Sequence, residues 1–336
     1  MKKISILLVL ILISACSDKK EIPEILESKF ETLVISDDFS SPAIKLEENH
    51  LREILILLHN DIPDEGIREY FRMSEAAYKS AINDLYGEGL IKRMGSGKFV
   101  PACMVLDSEN GERMKKTADS LGREMSLIVI DRLEKIKEAY GRIPAFKNIP
   151  FGNASLFILG NAVYNYWQMP SITGQFLKAN PPRRGAGRYY MAVLENKEGG
   201  SEPFGLFFNK FLPEDNYVAG VYGNNIPRAD SILNSTALSA LSPKSGISIP
   251  VFTQADQKKL SELASVVTPD ILAYLEKNRT LFVKLYLNSV YKDQTSFREW
   301  FVWYYQFMIT RSNKTLIEKG YIKTPASMGA SFLLSR

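Results

Sequence analysis

Helical periodicity marks this chain on both sides of residues 146–252, where it fades and glycine and aromatic residues become more frequent. That change of period in mid-chain points to an α+β fold, mainly α. Inside the stretch, residues 188–194 and 204–211 read as strands. Pro213-Glu214-Asp215-Asn216 is a turn signal, and residues 217–222 form its hairpin partner. The expectation is a small antiparallel sheet.

Helix returns over 253–321. Thr253 and Asp256 have the spacing of a capping box, with Asp in the Glu position, and Thr268-Pro269 opens another helix. A last helix runs from Ser296 toward Gly320 and carries Phe297, Trp300, Phe301, Trp303, Tyr304, Tyr305 and Phe307. A helix apolar nearly all round is buried, so these aromatics are expected in the core rather than on a binding surface. Residues 112–140 read as one long helix with the stripe Leu121, Met125, Ile128, Leu133, Ile136 and Tyr140. It is expected to pack on the domains at either end; the alternative is a dimerisation helix, and with it a homodimer.

The N-terminal region is patterned differently. Leu51, Ile54, Leu55 and Leu58 fall at i, i+3, i+4 and i+7, an amphipathic helix. Pro63 suits the first turn of a second helix through Phe71. Ser74 N-caps a third, whose inner face is Ala77, Tyr78, Ala81, Ile82 and Leu85 and which Gly87 and Gly89 stop. Residues 90–94 read as a strand, Gly95-Ser96-Gly97 turns, and Lys98-Phe99-Val100 starts the return. Three helices followed by a hairpin resemble the winged helix-turn-helix fold, and residues 74–91 are similar to the recognition helix and first wing strand of bacterial regulators. Fold does not carry DNA binding with it. Glu75, Lys79, Asp84 and Glu88 give the recognition helix a net charge of −2, which phosphates repel, although the wing offers Lys92, Arg93 and Lys98. The module is therefore expected to act as a scaffold or protein-binding unit, with nucleic acid no partner.

Met1-Lys2-Lys3 precedes an apolar run over residues 4–12, the n-region and h-region of a secretory signal. The run is shorter than the ~20 apolar residues that span a bilayer. Ile13-Ser14-Ala15-Cys16 then resembles the lipobox of bacterial lipoproteins. The resemblance implies that residues 1–15 are removed, that the Cys16 thiol receives a diacylglyceryl group, and that its freed amine is acylated. Two or more chains, at ~0.8 kcal/mol per buried CH₂, hold a protein stably on a membrane. Ser17 resembles the outer-membrane default of lipoprotein sorting, whereas Asp18-Lys19-Lys20 only partly resembles a surface-export signal. The expected location is the cell envelope, lipid-anchored at the outer membrane and facing the periplasm. Residues 16–43, with Pro23 and Pro42, read as a lipidated tether with a short helix near 22–30. Residues 44–106 form the winged-helix-like domain, 107–145 the connecting helix, and 146–336 the α+β domain.

The formal charge of +4 falls to +2 once Lys2 and Lys3 are gone, so no global field gathers nucleic acid or anionic lipid. With Cys16 lipidated, Cys103 has no cysteine to pair with; in its apolar run it reads as a small buried hydrophobe. His50 and His59, nine residues apart, are half a turn out of phase on a helix and cannot share a metal. No metal or cofactor is expected.

Arg183, Arg184 and Arg188 flank Gly185-Ala186-Gly187 and make a candidate anion-binding cluster, without the third glycine or the following helix of a phosphate loop. Ser289-Val290-Tyr291-Lys292 matches the S-x-x-K string of penicillin-recognising enzymes, but Lys323-Thr324-Pro325 departs from its K-T-G companion at the glycine. Gly246-Ile247-Ser248-Ile249-Pro250 fails the nucleophile elbow at its last position. No catalytic residue is assigned. The sequence thus reads as a membrane-anchored envelope lipoprotein with a non-catalytic binding or scaffold role and a protein partner in the envelope. The alternative is a membrane-tethered hydrolase using carboxylates of the second domain.

Overall fold

A computed structural model describes residues 21–196, 203–224, 250–324 and 329–336. The signal, Cys16 and residues 246–249 lie outside the described residues. The chain opens with α1 (Ile22–Leu26) and β1 (Lys29–Ile35). Helices α2 (Leu51–His59), α3 (Asp64–Tyr70) and α4 (Glu75–Glu88) follow, then a hairpin of β2 (Ile91–Arg93) and β3 (Phe99–Pro101), and β4 (Met104–Leu106). After α5 (Ser108–Asp131) and α6 (Leu133–Gly141), the short helix α7 (Phe151–Ser155) runs into a π-helical turn, Leu156–Ala162. Helix α8 (Met169–Ser171) runs into a second, Ile172–Phe176. The strands β5 (Arg183–Arg184), β6 (Gly187–Arg188), β7 (Tyr190–Asn196), β8 (Phe208–Pro213), β9 (Tyr217–Gly223) and β10 (Val251–Phe252) come next. Helices α9 (Gln254–Ser265), α10 (Thr268–Lys277), α11 (Arg279–Leu287), α12 (Tyr291–Gln294) and α13 (Phe297–Glu318) precede the last strand, β11 (Gly329–Ser335). The architecture is α+β, dominated by helix.

Local chemistry sets many of these boundaries. The Ser74 hydroxyl accepts the Ala77 N–H, and Gly89, at φ 76°, ends α4 in the left-handed conformation that a glycine adopts without steric cost. Thr253 and Asp256 form the capping box of α9. The expected 112–140 helix is two helices, because the backbone turns at Arg132 (φ −101°, ψ 4°). Its apolar stripe is largely covered inside the molecule: Leu121, Met125, Ile136 and Tyr140 are buried, Ile128 and Leu133 are half-buried, and α5 lies along α13. Gly122 sets how close the two helices come, since a Cβ there would stand 2.6 Å from the Met308 carbonyl oxygen.

A correction falls on the expected tether. Its residues Lys29–Ile35 are sheet: β1 pairs antiparallel with β7 from Lys29↔Asn196 to Ile35↔Tyr190. Strand β4 pairs parallel to the other edge of β7, giving the order β1-β7-β4. Alternate residues of these strands point to opposite faces, and each face has its own core. Tyr190, Ala192, Leu194, Met104, Leu106 and Leu33 join the large C-terminal core. Met191, Val193, Val105 and Tyr189 join the core built by α2 and α4. One three-stranded sheet is thus shared by the N-terminal helices and the rest of the chain. The second sheet has the order β10-β11-β9-β8; β8 and β9 are the hairpin expected around Pro213–Asn216. Among the described residues, no helix is long and apolar enough to cross a membrane.

Candidate functional site

Strand β1 ends one sheet and β8 ends the other. Among the described residues, each therefore offers a row of backbone N–H and C=O groups with no strand partner. Both strands line one groove of about 270 Å³. Its third wall is Asn165, Tyr166 and Met169, which lie between the two π-helical turns. Such turns re-aim side chains that a regular helix would point elsewhere, and they recur at functional sites.

The loop after β1 completes the groove. Phe39 has φ 61°, a conformation that costs a non-glycine residue energy. It brings the Phe39 ring 5.0 Å from Phe211 and 6.2 Å from Tyr166, while Tyr166 and Phe211 are 5.1 Å apart. Polar groups surround this aromatic floor. Asn209 and Asn161 exchange amide hydrogen bonds of 2.8 Å in both directions, and the Asn165 side chain donates to Gln306 Oε1 at 3.1 Å. The Thr32 hydroxyl is buried and, among the described residues, has no hydrogen-bond partner. Asp37 sits at the rim; burial against the protein and the neighbouring Asp38 raise its pKa above the usual carboxylate range. Burial and the Asp37 charge push the Tyr166 phenol up to about 12. Asp37 and Tyr166 also line a second hollow with Gln257 and Lys258. The arrangement suits recognition: stacking faces, amide and hydroxyl edges, and two open sheet edges converge on one space.

The arginine cluster is not assembled as the sequence reading expected. Arg184 is buried and its Nη2 lies 2.9 Å from both Glu299 Oε2 and the Ala102 carbonyl. Glu299 also accepts the Met191 N–H at 2.9 Å; burial raises its pKa while Arg184 opposes the shift. Arg183 and Arg188 face each other across the β5–β6 hairpin in solvent, and Arg188 donates to the Pro181 carbonyl. The alternation of a two-stranded hairpin explains the separation: neighbours in sequence point to opposite sides, and the inward side met a carboxylate.

Several carboxylates of the C-terminal region are committed to structure. Asp256 serves the capping box, Asp270 pairs with Arg132 at 2.7 Å, Glu276 with Arg279 at 2.6 Å, and Glu195 accepts from the Ser28 hydroxyl at 2.6 Å. Glu88, counted above among the charges of α4, is buried; it accepts from the Tyr189 hydroxyl and from the Ala43 N–H. His50 stacks on Phe71, 4.2 Å between ring centroids, whereas His59 is buried with Nδ1 2.6 Å from Gln294 Oε1 and Nε2 3.6 Å from Asp107. Cys103 is buried, and burial pushes its thiol up to about 12. In the Ser289–Lys292 string, the serine hydroxyl donates to the Tyr286 carbonyl at 2.7 Å, and Lys292 faces solvent. Trp300 and Trp303 are buried. Asp37, Phe39, Tyr166, Asn209 and Phe211 carry no motif; the strand and turn expected over residues 204–216 were the signal pointing to a wall of the groove, the one that β8 forms.

Compared with protein-family models, with curated proteins and with solved structures, the chain matches none.

Proposed function

We propose that this chain is a lipid-anchored binding protein of the cell envelope, held at the outer membrane by acyl chains on Cys16 and facing the periplasm. The helices and hairpin of residues 51–101 resemble a winged helix and serve as a scaffold for one face of the shared sheet. The groove between β1 and β8 takes an extended segment of a partner protein. One observation carries this reading: two sheet edges without strand partners among the described residues border the same aromatic-floored space. An added strand takes its affinity from backbone hydrogen bonds and its specificity from pockets for alternate side chains.

A photo-crosslinking residue at Asn209 in the cell-borne protein tests the reading, with exposed Tyr86 on α4 as the control position. A discrete adduct from position 209, lost when Phe39→Arg fills the groove and absent from position 86, is the expected result. The same adducts from both positions, or none from 209, would refute it. Palmitate-analogue labelling of wild type and Cys16→Ala tests the anchor: the variant is expected to take up no label and to retain its signal.

A further inference from the structure

We propose that the solvent face of α11 and the turn after it dock on an anionic lipid bilayer. The inference rests on the anchored reading for the surface met in the cell, and on its own residues for the binding itself. From Glu276 to Asp293 the chain carries Lys277, Arg279, Lys284 and Lys292, with acidic residues only at the two ends, Glu276 and Asp293. Arg279 is engaged by Glu276 and lies 4.1 Å from the Phe176 ring centroid. The three lysines are exposed and, among the described residues, make no ion pair.

Between these lysines stands an unusual exposure of aliphatic side chains. Eight large apolar side chains are exposed among the described residues, and four of them are Leu281, Val283, Leu287 and Val290, at 37% to 52% exposure. Chance scatter along the chain would not place half of them within ten positions. At ~100° per residue, Val283 and Leu287 lie side by side on α11, Lys284 lies next to them, and Leu281 takes the far flank. Phe282 points the other way and is buried, its ring 5.0 Å from Phe301.

The chemistry selects a bilayer over other occupants. Leu and Val have no hydrogen-bonding needs and match acyl chains, while lysine stems let the ammonium groups reach headgroup level. A two-fold contact with a second copy would set lysines against lysines. The net charge of the whole chain is small, so the attraction is local and falls off within a Debye length. A surface of this kind would hold an anchored body against the membrane instead of leaving it free on its tether.

The test uses the lipidated chain in vesicles of phosphatidylcholine, with and without phosphatidylglycerol. Leu287→Cys carries an environment-sensitive dye; buried Cys103 stays unlabelled. With phosphatidylglycerol, the dye is expected to shift to the blue and to be quenched by brominated lipid, reversibly with salt. A dye on Tyr86→Cys is expected to stay in water. Lys277→Ala, Lys284→Ala and Lys292→Ala should each weaken the lipid-dependent state roughly fivefold. Emission at 287 that ignores phosphatidylglycerol overturns the proposal, as does a shift that follows protein density instead of lipid charge. If the chain carries no acyl group, the anchored reading has failed; flotation of that chain with phosphatidylglycerol vesicles then reads the α11 face alone, and no flotation overturns it.

Discussion

The shared sheet separates two cores of different chemistry. On one face, α2 contributes Ile54, Leu55, Ile56, Leu57 and Leu58, five consecutive buried residues, to an aliphatic core. On the other face the core is aromatic: the Phe157 ring lies within 6 Å of Phe146, Trp167, Phe252 and Phe332. The two buried tyrosines of that aliphatic core, Tyr78 and Tyr189, donate to Asp64 and Glu88. The aromatic core leaves the hydroxyls of Tyr190, Tyr304 and Tyr305 and the Trp300 indole N–H buried without hydrogen-bond partners among the described residues. Each such group costs about 1–3 kcal/mol of desolvation. The difference teaches where to look for function. The aliphatic side is built for stability, whereas the aromatic side tolerates unsatisfied groups, holds both π-helical turns and borders the groove.

The largest expected effect attacks the polar link between the two faces. Glu299→Ala leaves the Arg184 guanidinium buried without its carboxylate, and denaturant titration should record a loss of about 3–5 kcal/mol. An unchanged midpoint would show that water replaces the carboxylate and that the link contributes little.

Next come matched truncations in the two cores. Trp303→Ala should cost about 3–5 kcal/mol and Leu57→Ala about 2–5 kcal/mol, from lost transfer energy and from the cavity left behind. Because β7 serves both cores, each variant should show one cooperative transition by fluorescence and by circular dichroism. Two separated transitions would make the cores independent folding units.

A smaller effect concerns pH. Burial opposes ionisation of Asp107, but the nearby His59 and the Asn110 backbone N–H outweigh it and hold the carboxyl below its ordinary pKa. A depressed folded pKa stabilises the fold above the unfolded value and loses that contribution as pH falls through the folded value. Melting temperature should therefore fall on acidification below about pH 4, and Asp107→Asn should flatten that limb. The smallest effect is expected at Tyr86, exposed on α4: Tyr86→Ser should stay within about 0.5 kcal/mol of wild type.

What the sequence disclosed and what it hid divide by range of interaction. The capping box of α9, the turn between β8 and β9, and the burial of Trp300 and Trp303 each depend on residues close in the chain, and each was readable. Strand β1 was not, because its partner Asn196 lies far from Lys29 and its seven residues are bounded by prolines and charges that read as tether. Arg184 resembled its neighbours Arg183 and Arg188 until Glu299 was seen beside it. The groove was hidden for the same reason: three distant segments build it, and one of its walls lies between two π-helical turns that leave no period in the sequence.

The last strand, β11, lies inside its sheet, between β10 and β9, and the first strand, β1, waits for β7. Threading order therefore matters. A chain delivered N-terminus first cannot close either sheet early: residues 29–35 have no partner until residue 196 has emerged, and the second sheet lacks an inner member until residue 335 is released. Topology therefore delays closure of both sheets and leaves β1 and β9 in need of protection from wrong pairing while they wait.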